Sequence, residues 1–172
     1  MSKSRDRVLD KALHMFAEQG YSSVGMRAIA DELGIQAPSL YSHFPSKDAM
    51  LRAIVEPFID HIQVLFMNLP DEPVSKQARR EWLTEAVTML KANSDQLQFA
   101  SNDRSLATHP VLGPRFWDVR QQLVECMCRF GVHERDWAIG VTGAIIYAVL
   151  APIDTPDVAT IVRMAEAFID AG

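Results

Sequence analysis

The chain has 172 residues, 48% of them apolar and 23% charged, proportions that build a globular core and exclude a disordered tract or a fibrous repeat. Its 8 glycines and 9 prolines argue against loop-dense all-β architecture. A net charge of −5 speaks against a nucleic-acid partner only until the chain is divided: residues 1–52 carry 7 Lys/Arg against 6 Asp/Glu, and residues 53–172 carry 10 against 16. Binding depends on local potential, not on the total.

Apolar spacing is helical along the chain, and no stretch alternates with period two for long enough to form a strand. The first helix runs from about Ser4 to Gln19, with Val8, Leu9, Ala12, Leu13 and Phe16 on one stripe, and Gly20 closes it in a left-handed conformation. Ser22 or Ser23 caps a second helix, about Val24 to Leu33, which Gly34 ends. A third, about Ala37 to His43, opens with Pro38 in its first turn. Ser46 caps the fourth, which runs to about Asn68; Pro57 predicts a kink, or two helices meeting at Glu56. Further helices are predicted at about Ser75–Ser94, Pro114–Phe130, Glu134–Leu150 and Thr155–Ala171, with residues 95–113 irregular apart from a short helix near Ser101–Ala107. The expected fold is all-α, with about nine helices.

Cys126 and Cys128 point about 200° apart on a helix, so they read as reduced thiols rather than a disulfide or a zinc site. The five histidines have no metal-ligand spacing, and no metal or cofactor is expected. The charged start lacks an apolar signal region, and the longest apolar run, Ala138–Ala151, has 14 residues where a bilayer needs about twenty. The expectation is a cytoplasmic protein without a membrane segment.

Met26 to Phe44 has the mechanics of a helix-turn-helix. Two helices crossing steeply need a small residue where they meet, and Ala30 supplies it; a sharp turn with positive φ follows four positions later, at Gly34. Ile29, Leu33, Ile35 and Leu40 supply the apolar wedge. The longer run Leu33-Gly34-Ile35-Gln36-Ala37-Pro38-Ser39-Leu40-Tyr41-Ser42-His43-Phe44-Pro45-Ser46-Lys47-Asp48-Ala49-Met50-Leu51 resembles the signature of the tetracycline-repressor family of bacterial transcriptional regulators, as does the preceding Phe16-Ala17-Glu18-Gln19-Gly20-Tyr21. Specific motif residues cover about 5–52; the later helices match in length and order only.

The resemblance implies an N-terminal three-helix DNA-binding domain, residues 1–47, followed by a helical ligand-binding and dimerisation domain, residues 48–172. It implies a recognition helix laid in the major groove of a double-stranded DNA operator, with Gln36, Ala37, Ser39, Tyr41, Ser42 and His43 around its exposed face. Gln36 suits an adenine edge or a phosphate. For Tyr41 the competing reading is an aromatic packed on the neighbouring helix, and for His43 a ring holding a backbone carbonyl. Arg27 matches a position that reaches a base or phosphate, and otherwise reads as a surface arginine. Lys47, in the first turn of the fourth helix, is disfavoured by the macrodipole unless a phosphate sits there; a solvated lysine is the alternative. Lys3, Arg5 and Arg7 form a candidate arm. Gly25 and Met26 depart from the family, which often has a phosphate-binding threonine or serine there.

Ala138–Ala151 is apolar around nearly its whole circumference, which a helix on a monomer surface does not tolerate. Gly140, Gly143, Ala144 and Ala148, with Ile161, Ala165 and Phe168 of the last helix, are the candidate homodimer interface; burial within one protomer is the rival. An apolar pocket for an unknown small-molecule effector draws its candidates from Phe66, Trp82, Met89, Phe99, Phe116, Trp117, Met127 and Tyr147, with His109 and Gln63 as polar contacts, although such residues are more often plain core. No G-x-S-x-G, H-E-x-x-H, phosphate loop or Rossmann fingerprint supports an enzyme. A helical ligand-binding or protein-interaction module without DNA binding is the other reading, favoured by the acidic total.

Overall fold

The helical stripes read from the sequence become ten α-helices in the computed structural model, which describes residues 3–151 and 155–171. They are α1 (Lys3–Gln19), α2 (Met26–Leu33), α3 (Ala37–His43), α4 (Lys47–Met67), α5 (Lys76–Ala92), α6 (Ser94–Asn102), α7 (Arg104–Ala107), α8 (Leu112–Arg129), α9 (Arg135–Leu150) and α10 (Val158–Ala171). Among the described residues there is no strand, and no helix is long and apolar enough to cross a membrane.

Several local expectations are corrected. Ser22 and Ser23 do not cap α2: they lie in a one-turn 3-10 segment, Tyr21–Ser23, and α2 starts at Met26 behind Gly25, which offers no side-chain cap. Val24 is extended and 2% exposed, because its side chain is drawn into the core. Gly20 has φ 81° and ψ 140°, a region open to glycine but not the left-handed helical one expected. Gly34 does adopt that conformation, at φ 67° and ψ 30°, and the amides of Gly34 and Ile35 bond back to Asp31 and Ala30 oxygens. Pro57 lies within one continuous helix α4, not between two.

The count of about nine helices becomes ten because residues 95–113 are mostly helical. Leu97 and Phe99 anchor α6, Leu106 anchors α7, and α8 begins at Leu112, ahead of the expected Pro114. Three apolar anchors in so many polar positions give little periodicity to read. Asp103 resembles a loop residue but is the cap of α7, its carboxylate accepting from the Ser105 amide at 2.8 Å.

α4 is the spine. Met50, Leu51, Ile54, Val55, Phe58, Ile59, Ile62 and Leu65 are all buried, too many for one stripe, because α4 packs on α1 at one end and on α5, α6 and α8 along its length. One contiguous core therefore runs from Val8 to Ile169. In the body, the Trp82 indole donates to the Leu65 carbonyl at 2.9 Å and stacks on Phe66. α10 is fastened to α5 by Arg80, which grips Glu166 through both oxygens, and by Arg79, which donates to Asp170 at 2.7 Å.

Candidate nucleic-acid interface

The α2–turn–α3 unit is rigid because its inner face is buried. Ile29, Ala30 and Leu40 are at most 1% exposed, and Leu33 and Ile35 pack against them. Ala30, the small residue expected at the crossing, is buried in α2, which packs on α3. Lys11 of α1 reaches Glu32 of α2 at 2.6 Å, tying the pair to the first helix.

With that face inside, the opposite one presents Gln36, Ser39, Tyr41, Ser42 and His43 to solvent, and Tyr41 is 47% exposed. The structure therefore does not pack Tyr41 against the neighbouring helix. Gln36 stands at the N-cap of α3 but makes no cap bond, leaving its amide free for another partner. Ala37 is half-buried against the core, and the Ser42 hydroxyl donates to Ser39 O at 2.7 Å, so neither projects a free polar group. Arg27 is exposed on α2 and has no ion-pair partner among the described residues. Met26 is buried, so with Gly25 it leaves the start of α2 without a side-chain donor. Arg7 is exposed, whereas the Arg5 guanidinium lies 4.8 Å from the Phe44 ring centre, turned onto the end of α3; the side chain of Lys3 lies outside the described residues.

Lys47 occupies the first turn of α4, beside the Ser46 cap that accepts from Ala49 N at 3.0 Å. Its ammonium donates to Tyr21 O at 2.7 Å and Val24 O at 2.9 Å, and lies 4.2 Å from the Tyr21 ring centre. The unfavourable macrodipole is thus offset by two carbonyls of the segment before α2, an interaction that sequence reasoning had no means of seeing. Burial pushes the Lys47 pKa down, opposed by the Asp103 charge. Burial works against ionised Asp103 too, but bonds from the Ser105 hydroxyl and the Tyr21 and Ser105 amides, with the Lys47 charge, outweigh it and hold its carboxyl below the ordinary range. A carboxyl depressed in the native state stabilises above its unfolded value, near pH 4, and loses that contribution as pH falls through the lower native value. The wild-type melting temperature should accordingly drop more on acidification from pH 5 to pH 3 than that of an Asp103→Asn variant; equal drops would remove Asp103 as a contributor.

Sequence reasoning missed Tyr21, Asp48 and Asp103. Their partners are distant along the chain: Tyr21 N donates to Asp103 at 2.6 Å across 82 positions. His109, expected as an effector contact, instead pairs its Nε2 with Asp48 at 2.6 Å while its Nδ1 accepts from the Val111 and Leu112 amides. Those two accepted bonds assign the ring proton to Nε2, so the ring donates to Asp48.

The regulatory candidates divide. Trp82, Phe99 and Met127 are buried core, Met89 and Phe116 are half-buried, and Trp117 and Tyr147 are 61% and 75% exposed. Of the eight, only Phe66 lines the roughly 370 Å³ cleft between α4 and α8, which it shares with Gln63, Met67, Leu69, Gln122, Glu125, Cys126 and Arg129. The eight do not form one pocket because the helices turn them in different directions. The dimer candidates split similarly. Ala148, Ile161 and Ala165 are buried inside the protomer, between α9 and α10, whereas Gly140, Gly143 and Phe168 are exposed and Ala144 is half-buried at the rim. Trp137, Ile139, Tyr147 and Met164 add to that exposed apolar face, and the Trp137 indole donates to Phe168 O at 2.9 Å. Both cysteines are expected to be buried or half-buried; Cys126 is buried but Cys128 is exposed, and burial pushes the Cys126 thiol far up.

Residues 8–54 match the family model described as bacterial regulatory proteins, tetR family. The HTH-type transcriptional repressor KstR2 of Mycolicibacterium smegmatis is 37% identical over 71 residues, covering 41% of this chain and 35% of that protein. The HTH-type transcriptional repressor ComR of Escherichia coli is 36% identical over 56 residues, covering 33% and 27%. The chain thus spans about a third of the length of these curated relatives. In fold the likeness extends along the whole chain: the ketosteroid transcriptional regulator KstR2 of Mycobacterium tuberculosis superposes with a TM-score of 0.78 at 20% identity, over 100% of this chain and 95% of that one. AmtR of Mycobacterium smegmatis gives 0.80 at 21%, over 98% and 86%.

Proposed function

We propose, from the match of residues 8–54 to the model of bacterial regulatory proteins of the tetR family, that the chain belongs to that family and is a DNA-binding transcriptional repressor that grips a palindromic operator as a homodimer and is released by a small-molecule effector. The observation that carries this reading is the outward face of α3. Gln36, Ser39, Tyr41 and His43 are exposed on a helix whose other side is fixed by buried Leu40, and Arg27 flanks them without an acidic partner among the described residues. A rigid inner face under a polar outer one is what major-groove reading requires. Residues 1–47 act as the head and 48–172 as the regulatory body, joined through α4.

Phosphate contacts fall to Tyr41, His43, Arg7 and the third ammonium proton of Lys47; base contacts fall to Arg27 and Gln36, whose forked donors match guanine and adenine edges. The exposed α9–α10 face supplies the two-fold interface, and the cleft lined by Gln63 and Phe66 is where an effector with an apolar body and hydrogen-bonding groups fits. Repression and release follow if the effector prefers the conformation that cannot span two half-sites.

The test is fluorescence anisotropy on duplexes selected from the source genome. Wild-type protein should bind a palindrome with affinity falling steeply in salt. Arg27→Ala should weaken binding by about 1–3 kcal/mol and relax preference at one base step. Tyr41→Ala should weaken all duplexes alike. Absence of any selected duplex, with folding intact, would falsify the regulator reading in favour of a module that binds no DNA.

A further inference from the structure

The loop ahead of α2 is held from two sides at a single residue. The N–H of Tyr21 donates to Asp103 Oδ2 at 2.6 Å, and its carbonyl accepts from Lys47 Nζ at 2.7 Å. Gly20, with its glycine-only φ of 81°, turns the chain off the end of α1 and frees that N–H from the helix ladder. The acceptor belongs to the other half of the molecule: Asp103 stands at the junction of α6 and α7. Its second oxygen is occupied at home, accepting from the Ser105 amide at 2.8 Å and hydroxyl at 2.5 Å, so the carboxylate is clamped in the body while it reaches into the head.

Two further contacts follow the same line. Phe16 of α1 packs on Phe99 of α6 with ring centres 6.0 Å apart, and on Tyr21 edge-to-face at 5.2 Å. His109, just before α8, meets Asp48 of the first turn of α4 at 2.6 Å. The segment from α6 to α8 therefore holds the head at the loop before α2 and at the root of α4. Tyr21 precedes Arg27 by six residues, so a shift of its peptide moves the start of α2 directly.

We propose that Asp103 is a positioning residue for DNA recognition: from the α6–α7 junction it holds the Tyr21 peptide and so sets the angle at which the body presents α2 and α3. This rests on the operator-binding reading above. Asp103 touches no DNA; it acts through Tyr21, with Lys47 as the opposing grip. A displacement of α6 strips the Tyr21 amide of its acceptor and lets the head pivot. In a dimer, two pivoting heads lose their fixed separation, so the spacing between half-sites ceases to be read.

Two variants separate this role from the helix cap. Asp103→Ser retains a hydroxyl to cap α7 but has no second oxygen for Tyr21; Asp103→Asn keeps the shape and sets an amide donor against the Tyr21 N–H. Amide exchange at Tyr21, followed by NMR, should accelerate by about tenfold or more in both variants. On selected operators whose half-site separation is changed by one or two base pairs, the wild type should favour one spacing sharply. The variants should lose about fivefold or more of that preference. Unchanged Tyr21 exchange, or a spacing profile identical to wild type, overturns the proposal. If the wild type binds no duplex, the regulator reading fails instead, and Tyr21 exchange alone still decides whether Asp103 holds the joint.

Discussion

Truncating Phe99 to alanine should destabilise the protein by about 3–5 kcal/mol, the usual cost of emptying a fully packed phenylalanine site. Phe99 is 1% exposed on α6 and packs against Phe16, which is fully buried in α1. The vacated volume lies between two helices that are themselves pinned, α1 by Lys11–Glu32 and α6 by its junction with α7. Neither can collapse to fill it, so the cavity term adds to the lost transfer energy. Urea unfolding measures the effect. A loss under about 1 kcal/mol would mean that Phe99 lines an open effector cavity, as its residue type first suggests, rather than the seam between head and body.

Gly143→Phe should leave the protomer folded and, with the proposed α9–α10 interface, abolish the dimer. Gly143 is exposed in the middle of α9, and nothing lies within 4 Å of where its Cβ would stand, so the new side chain fits within one chain. Phenylalanine also has the higher helix propensity. Between two copies, however, a ring there holds the α9 helices apart and removes the close approach that Gly140 and Gly143 permit. Sedimentation should report a monomer with unchanged far-ultraviolet circular dichroism. Operator affinity should fall by about 10²–10⁴-fold, since linkage of the two heads supplies that much effective concentration. A variant still dimeric at micromolar concentration moves the interface elsewhere.

Much of the head was legible because its determinants are local. Ala30, Gly34 and the apolar wedge lie within a dozen positions, and each acts through backbone geometry or the next turn of helix. The exposed set on α3 follows from the same periodicity once Leu40 is assigned inward: Gln36, Ser39, Tyr41, Ser42 and His43 all fall outside. Ala37 was misjudged, since it lies on the margin of the buried stripe. In the body, apolar residues announced burial but not direction. Ala148 and Gly143 belong to one helix and one small-residue row, yet α10 covers the first and leaves the second exposed.

The amino-acid order alone settles most of the helical segments, residues 95–113 excepted, and where the helix-turn-helix lies and which side of it faces out, because propensity and 3.6-residue periodicity act over a few residues. Three-dimensional packing assigns the partners. Lys47 looks from its position in the chain like a phosphate ligand alone, yet two of its three ammonium protons go to Tyr21 and Val24 carbonyls more than twenty residues away. Asp103 looks like a loop acid and holds the loop before α2. A side chain's neighbours depend on how distant helices cross, and helix crossings arise from the sum of the whole core rather than from any stretch of sequence.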